Sequence, residues 1–136
     1  MLLRAALRYF LGVFAAGFVL GTLRTVALSQ LPSLSPLVAV ALELPLILGF
    51  SAWFARATLR RHPLATDSAR LAMGLIALAL LLGAEALLSL LLAGRTLTEH
   101  LALYAEAPHQ LGLAAQVLFA LFPWLLGRRT IRPTPL

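Results

Sequence analysis

Four side chains that lipid holds poorly interrupt the chain, one in each of its four apolar runs: Arg24, Glu43, Glu85 and Gln116. An ionisable group near the centre of a membrane helix costs roughly 2.5 to 3.5 kcal/mol on insertion scales, so each needs a partner. At a rise of about 1.5 Å per residue, Arg24 lies about 6 Å below the outer end of its run, Glu43 and Gln116 about 10 Å, and Glu85 about 12 Å. All four fall in the outer half. Gly17, Gly21 and Arg24 share a helical stripe, and Gly17-x-x-x-Gly21 is a small-residue pattern that admits a second helix at close range, so the arginine is expected to face a partner. Glu85 shares a stripe with Gly74, Leu78, Leu81 and Ser89, and Gln116 shares one with His109 and Pro123, with Ala120 beside it. Glu43 is followed by Pro45, which removes a backbone donor and is expected to kink its helix. The spacing predicts one interior polar cluster.

Such a cluster supports three kinds of chemistry. Arg24 paired with Glu43 or Glu85 neutralises two buried charges and fixes helix register with no ligand. One cation facing two carboxylates leaves a spare carboxylate, which a proton- or cation-coupled site requires. The cluster can also meet a partner subunit, or a lipid or quinone headgroup. Beyond it, the segment before the fourth run carries Glu99, His100, Tyr104, Glu106 and His109. Imidazole and carboxylate together can ligate a metal, yet no H-E-x-x-H occurs, and an exposed loop also uses such residues for solvation.

Several chemistries are excluded outright. There is no lysine for a retinal or pyridoxal Schiff base, and no cysteine for disulfides, thiolate metal sites or iron–sulfur clusters. No G-x-S-x-G, Walker A or dinucleotide-binding G-x-G-x-x-G is present, and no serine has a His and Asp pattern around it. No cofactor is expected.

These residues must be positioned by membrane helices. Of 136 residues, 61% are hydrophobic and 12% charged, with a mean hydropathy of +0.94, where a soluble domain would be about 25% charged. The apolar runs cover about 9–28, 36–55, 71–94 and 109–127, each long enough to cross a hydrocarbon core as a helix. Arg4 and Arg8 before the first run resemble a signal-peptide start, but no A-x-A-like site follows near Thr25 to Ser29, and the run is read as a spanning helix. Asp67 or Ser68 is expected to cap the third helix. Thr96 to Glu99 fits a capping box for a short interfacial helix that Pro108 ends, with Tyr104 at the interface.

The basic residues are all arginine, eleven in number, for a net charge of +6. Arg4, Arg8, Arg56, Arg60, Arg61, Arg70, Arg128, Arg129 and Arg132 flank alternate ends of the runs. That bias follows the positive-inside rule and places both termini in the cytoplasm, whereas a nucleic-acid site would need a contiguous basic face, so no nucleic-acid partner is expected. Trp53 and Trp124 fall near the inner ends and fit an aromatic belt.

FAAGFVLGTLRT paired with LELPLIL, followed by LTEHLALYAEAPHQ running into LFALFPWLLGRR, resembles small four-helix inner-membrane proteins of proteobacteria to which no activity is assigned. The likeness covers most of the chain. It implies a four-helix membrane topology with Arg24, Glu43 and Pro45 at pattern positions, and it brings no ligand; the histidines and Glu106 lie outside it. The expected fold is therefore all-α, a bundle of four antiparallel transmembrane helices with a short outer interfacial helix. The expected function is that of a non-enzymatic accessory subunit or homo-oligomer in the bacterial inner membrane, with a small transporter or channel using Glu43 and Glu85 as the alternative. The lipid bilayer, further copies of the chain and a larger membrane complex are the expected partners.

Overall fold

A computed structural model describes residues 1–128; Arg129, Arg132 and the rest of the expected cytoplasmic C-terminus lie outside the described residues. All regular structure among them is helical. The elements are α1 (Leu2–Gln30), α2 (Pro36–Arg61), α3 (Asp67–Leu91), the short α4 (Leu97–Ala102) with a 3-10 turn at Leu103–Ala105, and α5 (Ala107–Gly127). Four of the helices, α1, α2, α3 and α5, are long and apolar enough to cross a membrane.

Local chemistry sets the ends. Ser35 accepts the backbone N–H of Val38 at 3.2 Å, with Pro36 supplying the first helical residue of α2. Thr66 caps α3 by accepting from Ala69 at 3.2 Å, in place of the expected Asp67 or Ser68. The threonine already has extended backbone, as a cap requires, whereas Asp67 is the first helical residue and turns its carboxylate to arginines. Gly94, at φ +64, reverses the chain after α3, a conformation that costs a Cβ-bearing residue energy. The capping box of α4 forms in full, Glu99 Oε2 accepting from the Thr96 N–H at 2.8 Å and Thr96 Oγ1 from the Glu99 N–H at 3.2 Å. Pro108 does not terminate α4; it sits in the first turn of α5, where its missing donor is not needed. Helix α1 starts seven residues before the expected span, and α2 continues unbroken through Pro45 to Arg61.

The long helices close a ring in which α1 packs on α2, α2 on α5, α5 on α3 and α3 on α1. Contacts between α1 and α2 join Arg24 to Glu43, Gly17 to Ile47 and Gly12 to Phe54, so sequence position rises in one helix as it falls in the other. Between α3 and α5 the same holds for Glu85 with Gln116, Gly74 with Ala120 and Arg70 with Gly127. The ring is thus two hairpins side by side, in which α1 runs with α3 and α2 with α5.

The core gathers at the end of the ring away from α4. Ala5, Ala6, Tyr9, Val13, Ala55, Met73, Ala77 and Phe119 are buried there, and small residues bring the helices together. A Cβ added to Gly74 would stand 1.7 Å from the Ala120 carbonyl oxygen, and one on Gly12 would stand 2.1 Å from the Phe54 ring. Tyr9 crosses the ring, stacking on Phe119 at 4.4 Å between centroids and donating its hydroxyl to the Phe119 carbonyl at 2.7 Å. At the tip of this end, Arg70 is buried and reaches Asp67 at 2.8 Å; Arg128 reaches the same carboxylate at 3.2 Å, joining α5 to α3.

Candidate functional site

The other end of the ring is built differently. No residue of α1 beyond Val13 is buried, nor any of α2 between Ala39 and Ser51. Into this looser half project the four polar residues of the apolar runs. They form two pairs, not one cluster. Arg24 Nη1 donates to Glu43 Oε2, tying α1 to α2, with the arginine side chain 34% exposed and the glutamate 14%. Gln116 Nε2 donates to Glu85 Oε1 at 2.7 Å, tying α5 to α3. The division follows from the ring: each pair bridges the two helices of one hairpin. Glu85 nevertheless lies within the electrostatic reach of both Arg24 and His100, so the pairs share one field.

The expected close approach at Gly17 and Gly21 is not made within the chain. A Cβ on Gly17 would meet only the Ile47 side chain, at an ordinary 3.8 Å, and the space beside Gly21 is taken by the side chain of Arg24. Backbone approach occurs instead at Gly74, where Ala120 presents its carbonyl.

Above Glu85 sit the residues around α4. His100 is buried at 7% exposure, and among the described residues its Nδ1 has no hydrogen-bond partner. Its ring meets Tyr104 edge-on at 5.7 Å, and Tyr104 meets His109 at 6.3 Å, a short aromatic row over the pair of α3 and α5. Burial pushes the Tyr104 hydroxyl above its ordinary pKa, and the charge of Glu85 pushes it the same way. His109 Nδ1 stands 3.7 Å from Glu106 Oε2, an ion pair only when the imidazole is protonated. Gln110 fastens the 3-10 turn by donating from Nε2 to the carbonyls of Tyr104 and Ala105.

Of the expected outer-loop residues, Glu99 is held in the capping box and Glu106 faces His109, so His100 and Tyr104 alone turn to the Glu85 side. Among the described residues no three His, Cys, Asp or Glu side chains converge as a metal site. Gln116 Oε1 is also buried without a partner among the described residues, which leaves an unused acceptor beside the Glu85 carboxylate.

Sequence reasoning passed over Tyr9, Arg70 and the Gly74–Ala120 contact. Gly74 was on the Glu85 stripe and Ala120 beside the Gln116 stripe, so two small residues on stripes whose polar members pair were the available signal. Tyr9, at the start of an apolar run, carried none. Comparison with protein-family models, curated proteins and solved structures gave no match.

Proposed function

We propose that the chain is a multi-pass protein of the bacterial inner membrane, with four transmembrane helices, cytoplasmic termini and α4 at the outer face, and that Glu85 takes up a proton or small cation from the outer side. The arginine bias supports the orientation, since Arg4, Arg8, Arg56, Arg60, Arg61, Arg70 and Arg128 all belong to the end away from α4. One observation carries the functional reading: Glu43 is engaged by Arg24, whereas Glu85 is held by a neutral amide. A carboxylate without a direct cation partner in a spanning helix marks an ion or proton site. The opposite end is closed by Tyr9, Phe119, Met73 and Arg70, so uptake at Glu85 is one-sided in this state and passage across needs that end to open. In proteoliposomes Glu85→Gln abolishes proton or cation uptake while leaving the fold intact; normal flux in that variant sinks the proposal.

A further inference from the structure

Pro123 sits inside α5 with its ring fully buried. A proline has no N–H to give the carbonyl four residues back, and its ring crowds that oxygen, so the Phe119 carbonyl loses its helix donor. The oxygen is not left unpaired. The Tyr9 hydroxyl of α1 donates to it at 2.7 Å, and the Tyr9 and Phe119 rings stack at 4.4 Å. A membrane helix tolerates an internal proline when a neighbouring helix satisfies the freed group, and here that neighbour reaches across the ring. At the turn where its own ladder is broken, α5 depends on a bond supplied by α1.

Beyond that turn, α5 is docked by contacts of another kind. Gly127 lies so near Arg70 that an added Cβ would stand 2.3 Å from Arg70 Cδ. Arg70 is itself fastened to the start of α3, donating to Asp67 at 2.8 Å and to the Ala65 carbonyl at 3.3 Å. Arg128 reaches the other Asp67 oxygen at 3.2 Å, with both side chains about half exposed. An exposed ion pair holds weakly, so the last turn of α5 is lightly tied at its tip.

We propose that Pro123 is a hinge and the Tyr9 hydroxyl its latch, so that residues 124–128 of α5 swing as the gate that closes the ring away from α4. The proposal rests on the Glu85 reading only for what the gate would release, a proton or small cation bound from the α4 side. The hinge itself stands on the geometry of α5. Bending at this turn breaks one backbone bond fewer than bending at a turn with a complete ladder. The Tyr9 bond opposes it, and Tyr9 belongs to a different helix from the segment that moves.

The chain has no cysteine, so spin labels can be placed in pairs on the full chain in vesicles. Leu7→Cys with Leu125→Cys reports the separation of α1 and α5 beyond the hinge, and Leu23→Cys with Leu113→Cys reports the same two helices on the α4 side; all four leucines are exposed. In double electron–electron resonance, Tyr9→Phe raises the share of a longer distance in the first pair about fivefold, the equivalent of one hydrogen bond worth roughly 1 kcal/mol. The second pair stays unchanged. Pro123→Ala returns a backbone donor to the Phe119 carbonyl, and in combination with Tyr9→Phe it removes the rise. A first-pair distance that Tyr9→Phe does not alter overturns the hinge, as does equal broadening of both pairs or a rise that persists in the double variant. The measurement needs no ion flux: a chain that swings at Pro123 yet keeps normal flux in Glu85→Gln supports the hinge and sinks the Glu85 reading alone.

Discussion

The two ends of the helix ring solve the same problem by opposite means. Away from α4, helices meet through small residues: Gly74 lies against the Ala120 backbone, Gly12 against Phe54, and Tyr9 spans the ring to Phe119. In lipid such contacts rely on dispersion and close approach, because burying apolar surface gains little when the solvent is apolar too. At the α4 end fewer residues of α1 and α2 are buried, and the helices are joined by side chains, Arg24 to Glu43 and Gln116 to Glu85. Close packing leaves one arrangement and no room. Polar bridges leave looser packing and side chains that can change charge, and the proposed uptake at Glu85 rests on that difference.

This contrast can be broken residue by residue. The largest effect is expected at Gly74→Ala, whose new methyl meets a carbonyl oxygen of a neighbouring helix instead of a flexible side chain. Forcing α3 from α5 costs about 3 kcal/mol, read as a clear fall in melting temperature in detergent; an unchanged melt means the approach is looser than described. Next is Arg24→Ala, which leaves Glu43 without its cation. Removing one partner of a buried pair costs about 3 to 5 kcal/mol, and partial exposure of the arginine reduces this to about 1 to 2 kcal/mol. The double variant with Glu43→Gln should recover part of that loss; a melt equal to wild type for Arg24→Ala alone contradicts the clasp.

Tyr9→Phe keeps the ring stack and loses the hydroxyl's bond to the Phe119 carbonyl, with a cost of about 1 kcal/mol. A loss as large as that of Gly74→Ala would mean the hydroxyl organises the core more widely. The smallest effect concerns Tyr104. Its pKa is raised in the folded protein, so its contribution is fully present below the unfolded value near about 10 and is lost as pH rises through the folded value. A stability profile against pH should therefore bend downward on the alkaline side, and Tyr104→Phe should lessen that bend without removing it, since the buried Tyr9 remains.

The four long apolar helices were legible because hydropathy and length leave few alternatives for runs such as 71–94. Arg24 and Glu43 were legible as partners of a kind, since an isolated charge in each run demands compensation. Their exclusive pairing was not, because the sequence does not say which helices are neighbours. In a soluble bundle the apolar stripe would point to the core, but here outward-facing and core-facing positions are both apolar, as Leu42 and Leu81 illustrate, one exposed and the other buried. That ambiguity also hid the Gly74 contact and made Gly17 and Gly21 look like the close approach. Turn chemistry was partly readable: the Thr96–Glu99 box announced itself, whereas three adjacent cap formers, Thr66, Asp67 and Ser68, left the start of α3 to be decided by backbone geometry.

The central claim is that the α4 end holds one carboxylate closed by an arginine and one left available. Infrared spectroscopy of the protein in bilayers, titrated with pH from the α4 side, tests it most directly. The account predicts a titrating carboxyl band that disappears in Glu85→Gln and persists in Glu43→Gln. A band that survives Glu85→Gln, or one that vanishes with Glu43→Gln instead, would contradict it.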